Sequence, residues 1–324
     1  MRVPPRSPAR AFPCIGWGYP RNAMVAFRHH PFALMRDAVD LSRYFARIGY
    51  RGAAEPTLDV LRQLQLLHPQ SIPFENLDPF TGARVALDLE SVVGKLIGQR
   101  RGGYCFEQNK LFYTVLVQLG FRVTPLIARV RWQRSPEQST PQTHMLLRID
   151  LDGDTWFADV GFGSTTPTAP LRHDPNVEQP TPHGTFRVVD APVAGELEIE
   201  CDTANGWHPL YRFSLKPVEW VDYEVANWYT SRHPDSFFTH DLIVCRILPD
   251  ARALLYNDAL TLRTADGAAQ TIRLTDADAW AACVCERLGV DLSGFDAAAL
   301  YARAAARADE TAAAAGRRDG GATT

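Results

Sequence analysis

The sequence predicts an α+β multidomain chain laid out in consecutive units, helical first, then antiparallel β, then mixed. Three observations carry this. Apolar residues recur at helical spacing as far as Gly120. Beyond Gly120 the period changes to alternation, the mark of half-buried strands. Between two such runs stands Asp152-Gly153, the type of pair that closes a two-residue hairpin. With 324 residues the chain exceeds one small core and fits two or three packed units.

Residues 1–36 hold six prolines, six arginines and no acidic residue, with neither a sustained apolar period nor a signal-peptide core, and read as a disordered N-terminal extension. Met24 and Met35 are alternative starts, and an initiation site placed too early is the favoured account of this segment. The helical unit spans 37–120. Asp40 to Ile48 forms a short amphipathic helix, and Leu58, Leu61, Leu64 and Leu67 or His68 line one face of a second, its end limited by Pro69. Ile72-Pro73-Phe74-Glu75-Asn76-Leu77-Asp78-Pro79 brackets polar residues between prolines and reads as a fixed loop under the helix that follows. Leu87 to Ile97 makes a third helix. From Cys105, Phe112, Val115, Leu116 and Leu119 mark a helix of about four turns, which Gly120 ends in a left-handed conformation.

The β unit spans 121–216. Ala128, Val130 and Trp132 alternate with Arg129 and Arg131, the polar run Gln133 to Gln142 is a loop, and His144–Leu151 and Thr155–Val160 form a hairpin. Strands at Thr185–Val189, Leu197–Cys201 and Tyr211–Leu215 extend it into a small β-barrel or sandwich. Residues 217–232 hold a linking helix, Pro217 to Tyr229. A last unit, 233–303, carries short strands at Leu242–Leu248, Ala253–Tyr256, Ala259–Arg263 and Gln270–Leu274, then a helix from Asp278 to Leu288. From about Tyr301 the Ala, Arg, Gly and Thr composition reads as a frayed helix or a tail, taken as 304–324.

A net charge of −3 with 22% charged residues gives no general attraction to nucleic acid or to an anionic membrane, so an anionic ligand needs a local site. No apolar run is long enough to cross a bilayer. Six scattered cysteines do not form a secreted disulfide framework and point to a reducing cytoplasm. Cys283 and Cys285 lack the further ligands of a zinc set, so no metal is expected. His29, His30, His173, His183, His208, His233 and His240 lie in loop-like sequence and read as solvated.

The chemistry centres on Arg100-Arg101-Gly102-Gly103-Tyr104-Cys105. Two glycines, free to take backbone conformations closed to other residues, deliver Cys105 to the first turn of a helix, where peptide dipoles favour a thiolate. A buried core cysteine is the plain alternative. The hairpin supplies partners. A two-residue turn sets Leu151 opposite Asp154 and, counting outward, Leu146 opposite Asp159, so His144 and Asp159 share a face as diagonal neighbours. A three-residue turn would separate them. Cys105, His144 and Asp159 thus make a candidate nucleophile, base and orienter. After the aspartate, Gly161 and Gly163 permit close approach of a ligand to backbone, and Phe162, Phe74 and Phe106 offer flat apolar walls, although core packing suits Phe106 better.

Arg101-Gly102-Gly103-Tyr104-Cys105-Phe106-Glu107-Gln108-Asn109 resembles the nucleophile signature of the arylamine N-acetyltransferases. Ile72-Pro73-Phe74-Glu75-Asn76-Leu77, His144-Met145 and Asp159-Val160-Gly161-Phe162-Gly163 resemble that family's other motifs, in the same order. The resemblance runs from about Asp37 to about residue 300. It implies a helical N-terminal domain, an antiparallel β-barrel and an α/β lid around a cysteine-protease-like Cys-His-Asp core. It also implies acetyl-CoA as donor, with arylamines, arylhydrazines and N-hydroxyarylamines as acceptors. Phe74, Glu75, Asn76, Gly161, Phe162 and Gly163 are then the expected substrate contacts. Glu75 and Asn76 have bracing of the turn as their alternative, and Arg100 and Arg101 are candidates for the coenzyme A phosphates. Two other readings share the scaffold: a cysteine hydrolase of the transglutaminase or papain-like type, and a module that binds an aromatic ligand or partner without catalysis.

Overall fold

A computed structural model describes residues 38–265 and 267–319. The segment 1–36, with Cys14, Met24 and Met35, lies outside the described residues, as do the last five of the chain.

Helix α1 (Leu41–Ile48) starts where the Asp40 carboxylate accepts the N–H groups of Ser42 and Arg43, and stops at Gly49 with φ 74°. Helix α2 (Leu58–Ser71) is capped by Thr57 and runs two residues past Pro69 rather than ending before it. So close to its end the proline costs only the last turn, and the Ile72 N–H still reaches the His68 carbonyl at 2.7 Å. The segment expected as a loop is not one: it contains strand β1 (Phe74–Glu75) and opens helix α3 (Leu77–Thr81). Helix α4 (Leu89–Val93) continues as a π turn over Gly94–Gly98, and α5 (Cys105–Gln118) follows. Gly120, φ 92°, and the bond from Phe121 N–H to the Leu116 carbonyl close α5 as its sequence indicates.

The second segment is one antiparallel sheet of eight strands: β2 (Arg122–Val130), β3 (Gln142–Leu151), β4 (Asp154–Ala158), β5 (Leu171–Arg172), β6 (Gln179–Thr181), β7 (Gly184–Asp190), β8 (Glu196–Thr203) and β9 (Gly206–Ser214). Their order is β5-β4-β3-β2-β9-β8-β7-β6. Leu126, Leu146, Phe157, Leu171, Val188, Ile199 and Phe213, from seven of the strands bar β6, meet in one core. The sheet is therefore curled into a nearly closed barrel, which decides between barrel and sandwich. The outward faces of β3 and β4 (Met145, Leu147, Ile149, Trp156, Ala158) pack on α5 in a second core. Arg129 and Arg131 do not line a solvent face. Arg131 is buried and donates to the carbonyls of Ser135, Pro136 and Gln138, and Arg129 donates to that of Thr140, so the two arginines pin the 133–142 loop.

Helix α6 (Trp220–Arg232) leads to a five-stranded antiparallel sheet ordered β1-β10-β11-β12-β13, formed with β10 (Ile243–Ile247), β11 (Ala251–Tyr256), β12 (Ala259–Thr264) and β13 (Ala269–Arg273). Helix α7 (Ala277–Ala282), its π-turn continuation Cys283–Arg287, and α8 (Ala297–Asp319) cover this sheet. The stretch read as a tail from residue 304 belongs to α8: Ala304 is fully buried and Arg307 binds Asp241 at 2.9 Å. No helix among the described residues is long and apolar enough to cross a membrane.

Candidate active site

The turn before α5 is shaped by close approach, for a reason different from the one its glycines suggest. Neither Gly102 nor Gly103 has a positive φ; the left-handed residue is Arg100, φ 54°. A Cβ on Gly102 would overlap the Pro73 carbonyl oxygen, and one on Gly103 would lie 2.6 Å from Glu107 Oε2. The glycines let this turn press against β1, where the Glu75 N–H donates to the Gly103 carbonyl at 3.1 Å. Glu107 accepts the Tyr104 N–H at 3.0 Å and caps the helix start, so Cys105 is the first helical residue.

Cys105, His144 and Asp159 are buried and adjacent. The hairpin register is the expected one, Leu151 opposite Asp154 through Leu147 opposite Ala158, around Asp152 and Gly153 with φ of 53° and 88°. His144 Nε2 bonds Asp159 Oδ2 at 2.8 Å. With Nε2 committed, Nδ1 is the nitrogen left to face the Cys105 thiol, whose Sγ lies 3.6 Å from the Thr143 carbonyl oxygen. Opposite β2 the register slips by one residue at Thr143, a bulge that aims His144 at the helix.

Burial alone would strip the proton from His144, but the Asp159 charge and hydrogen bond, with the Cys105 contact, outweigh it and raise the imidazole to about 10. Burial likewise opposes ionisation of Asp159, and His144, Asn109 and the Gly161 N–H overcome it, holding the carboxyl below its ordinary value. His144 is therefore an imidazolium clamped to a carboxylate. The Tyr211 hydroxyl faces the same carboxylate without a hydrogen bond of ordinary geometry, and burial and that charge push it well above a free phenol. The Phe162 ring stands edge-on to His144 at 4.9 Å.

The other expected contacts divide. Gly161 closes on the nucleophile, since a Cβ there would lie 2.8 Å from Cys105 Cα. Gly163, φ 72°, turns the chain beneath half-buried Phe74, whose ring lies 6.1 Å from that of Phe238. Phe106 is fully buried in the core, edge-on to Tyr104 and Tyr223. Glu75 and Asn76 are buried and make the bracing bonds named as their alternative role. Glu75 accepts from Arg101 and from the Leu77 N–H, while Asn76 donates to the Phe238 and Asp241 carbonyls and accepts the Ile243 N–H. Arg101, a candidate for a coenzyme phosphate, is buried and paired with Glu75 at 2.7 Å and Asp78 at 3.1 Å. Arg100 is exposed. His183, expected solvated, is buried, its Nε2 bonded to the Leu248 carbonyl at 2.7 Å. Among the described residues no group of His, Cys, Asp and Glu side chains could hold a metal ion. The sequence reading passed over Asn109, which meets Asp159 Oδ1 at 2.9 Å. The signal was its place four residues after Cys105, on the same face of a largely apolar helix.

Comparison with known proteins gives concordant matches. The family model described as N-acetyltransferase matches residues 57–297. An arylamine N-acetyltransferase of Mycobacterium tuberculosis is 43% identical over 260 residues, 79% of this chain and 91% of its own length. The arylamine N-acetyltransferase / N-hydroxyarylamine O-acetyltransferase of Salmonella typhimurium is 39% identical over 214 residues, 66% of this chain and 75% of that one. The solved structure of Mycobacterium marinum arylamine N-acetyltransferase in complex with CoA superposes with a TM-score of 0.78 at 38% identity, covering 82% of this chain and 98% of that one.

Proposed function

The chain belongs to the arylamine N-acetyltransferase family, and we propose that Cys105, His144 and Asp159 carry out its acetyl transfer. Its reaction takes an acetyl group from acetyl-CoA to an arylamine. That sets aside the hydrolase and the non-catalytic module, which share the scaffold but not the family. Arylhydrazines and, by O-acetylation, N-hydroxyarylamines are further proposed acceptors. Free cysteines at 105, 201, 245, 283 and 285 accord with a cytoplasmic location, and the small net charge of −3 accords with small-molecule partners rather than nucleic acid or membrane.

The observation that carries the mechanism is the bond from His144 Nε2 to Asp159, which leaves the other ring nitrogen for sulfur. The Cys105 thiolate, balanced by the His144 imidazolium, attacks the thioester carbonyl. N–H groups at the start of α5, which have no intrahelical acceptor, are the proposed donors to the tetrahedral oxyanion. The bond to the coenzyme sulfur breaks, and the leaving thiolate takes the imidazolium proton. That transfer leaves His144 neutral and able to accept a proton from the incoming amine. An arylamine, neutral at pH 7, then attacks the acetyl carbon, His144 takes its proton, and the carbon–sulfur bond to Cys105 breaks to restore the ion pair.

Intact-mass measurement after mixing with acetyl-CoA tests this. The wild type should gain one acetyl group on Cys105 and lose it to an aromatic amine faster than to water, while Cys105→Ser should gain none. An unmodified wild type would refute the reading.

A further inference from the structure

We propose that Asn109 is the positioning residue that sets the spacing of nucleophile, base and orienter, an inference that deepens the acetyl-transfer reading and rests on it. Asn109 is fully buried in α5, one turn after Cys105 and on its face. Its amide reaches three separate points. Nδ2 donates to Asp159 Oδ1 at 2.9 Å and to the Met145 carbonyl at 2.7 Å, and Oδ1 accepts the Val160 N–H at 3.1 Å. Met145 follows His144, and Val160 follows Asp159. One side chain on the nucleophile helix thus holds the backbone beside each of the other two groups.

The chemistry of the carboxylate makes this more than packing. Asp159 Oδ1 is filled by Asn109 and by the Gly161 N–H at 2.8 Å, which leaves Oδ2 as the oxygen that His144 Nε2 meets. Both oxygens are fixed, and so is the plane of the imidazole. Without the amide, Oδ1 loses a donor, the carboxylate can rotate, and the ring is no longer held in line with sulfur. The Met145 carbonyl and Val160 N–H lose this buried partner as well. A side chain that only filled the volume would leave all three bonds unmade.

The test compares wild type, Asn109→Ala and Asn109→Asp, with kcat and the KM for acetyl-CoA measured from about pH 5 to about pH 9 and folding followed by thermal melting. Asn109→Ala should lower kcat on the order of 10²-fold, the cost of a misplacement near one ångström, and leave KM nearly unchanged with a wild-type-shaped pH profile. Asn109→Asp is isosteric but sets an anion against Asp159, with His144, Cys105 and Tyr211 the other titratable groups around that carboxylate. Its activity should rise toward acid pH, where the protonated acid can again donate to Asp159 Oδ1. Neither wild type nor Asn109→Ala should show that rise. Wild-type kcat in a folded Asn109→Ala protein, or one pH profile shared by the two variants, overturns the proposal. Should Asn109→Ala not fold, the profile of Asn109→Asp decides, a flat one against it. A wild type that gains no acetyl group would remove the acetyl-transfer reading, a separate failure.

Discussion

Gly161 shows how little room the site leaves at the level of one residue. Its φ is not among the positive ones, yet a Cβ would lie 2.8 Å from Cys105 Cα and 2.9 Å from Asn109 Nδ2. Gly161→Ala must push the end of the hairpin away from α5, with an expected stability loss of about 1–3 kcal/mol and slowed acetylation of Cys105, read by chemical denaturation and timed mass spectrometry. Asp159→Asn should instead keep the fold and lower turnover on the order of 10⁴-fold, because an amide at that place no longer holds His144 as an imidazolium; normal turnover in the folded variant would contradict the assigned role. Cys105, His144 and Asp159 were legible because helix starts and strand parity are local properties of sequence. The pairing of Glu75 with Arg101 and the partners through which Asn76 braces its turn were not, because which buried polar groups pair depends on segments far apart in the chain: Asn76 bonds Asp241 and Ile243, more than a hundred residues on. Tyr211, from a strand whose apolar pattern marked it only as core, was hidden for the same reason.

Helix α2 brings a second buried histidine to the scaffold of the site, and its role is linked to pH. His68 accepts the Tyr44 hydroxyl at Nδ1, 2.9 Å, and its Nε2 meets Gln108 Oε1 at 2.7 Å, while Gln108 Nε2 donates to the Pro73 and Gly103 carbonyls. The chain of bonds runs from α1 to the turn that delivers Cys105. Burial dominates and pushes His68 down to about 4, despite the Gln108 bond that works the other way. An unfolded chain binds this proton near pH 6.5 and the folded one does not, so the unfolded state takes up more protons between those values. The neutral histidine therefore contributes stability that is fully present above about pH 6.5 and is lost as pH falls toward 4, on the order of 3 kcal/mol in all. Urea titrations at pH 7 and pH 5 should show a steeper loss for wild type than for His68→Gln; equal losses would contradict it. The 58–68 apolar spacing showed this helix plainly. Its end was misread because a proline's cost depends on how many turns follow, and β1 was misread because its pairing partner, β10, lies far along the chain.

Across the whole molecule, one ion cluster joins segments that the order of elements keeps apart. Lys95 meets Asp78 at 2.6 Å and Glu107 at 2.7 Å, and Arg101 meets Glu75 and Asp78, so α3, β1, the π turn after α4, the glycine turn and the first turn of α5 share one buried set of charges. The covering segment at the C-terminal end closes over it, with the Phe295 ring 4.8 Å from the Arg101 guanidinium. Three carboxylates face two cations. Burial raises Glu107 above its ordinary value, while Asp78 is held below its own because Lys95 and Arg101 outweigh its burial; the three carboxylates in turn raise Lys95 against the cost of its own burial. Removing Lys95 leaves buried Glu75 and Glu107 and half-buried Asp78 sharing Arg101, and breaking a buried pair from one side costs about 3–5 kcal/mol. Lys95→Met should therefore lower stability by that order at pH 7. The carboxylates of the variant then bind protons more readily folded than unfolded, so its deficit against wild type should shrink as pH falls from 7 toward 5. Thermal or urea unfolding of both proteins at those two values checks the sign. A deficit that stays constant or grows would mean that the cluster is held by its hydrogen bonds to backbone and not by its charge balance.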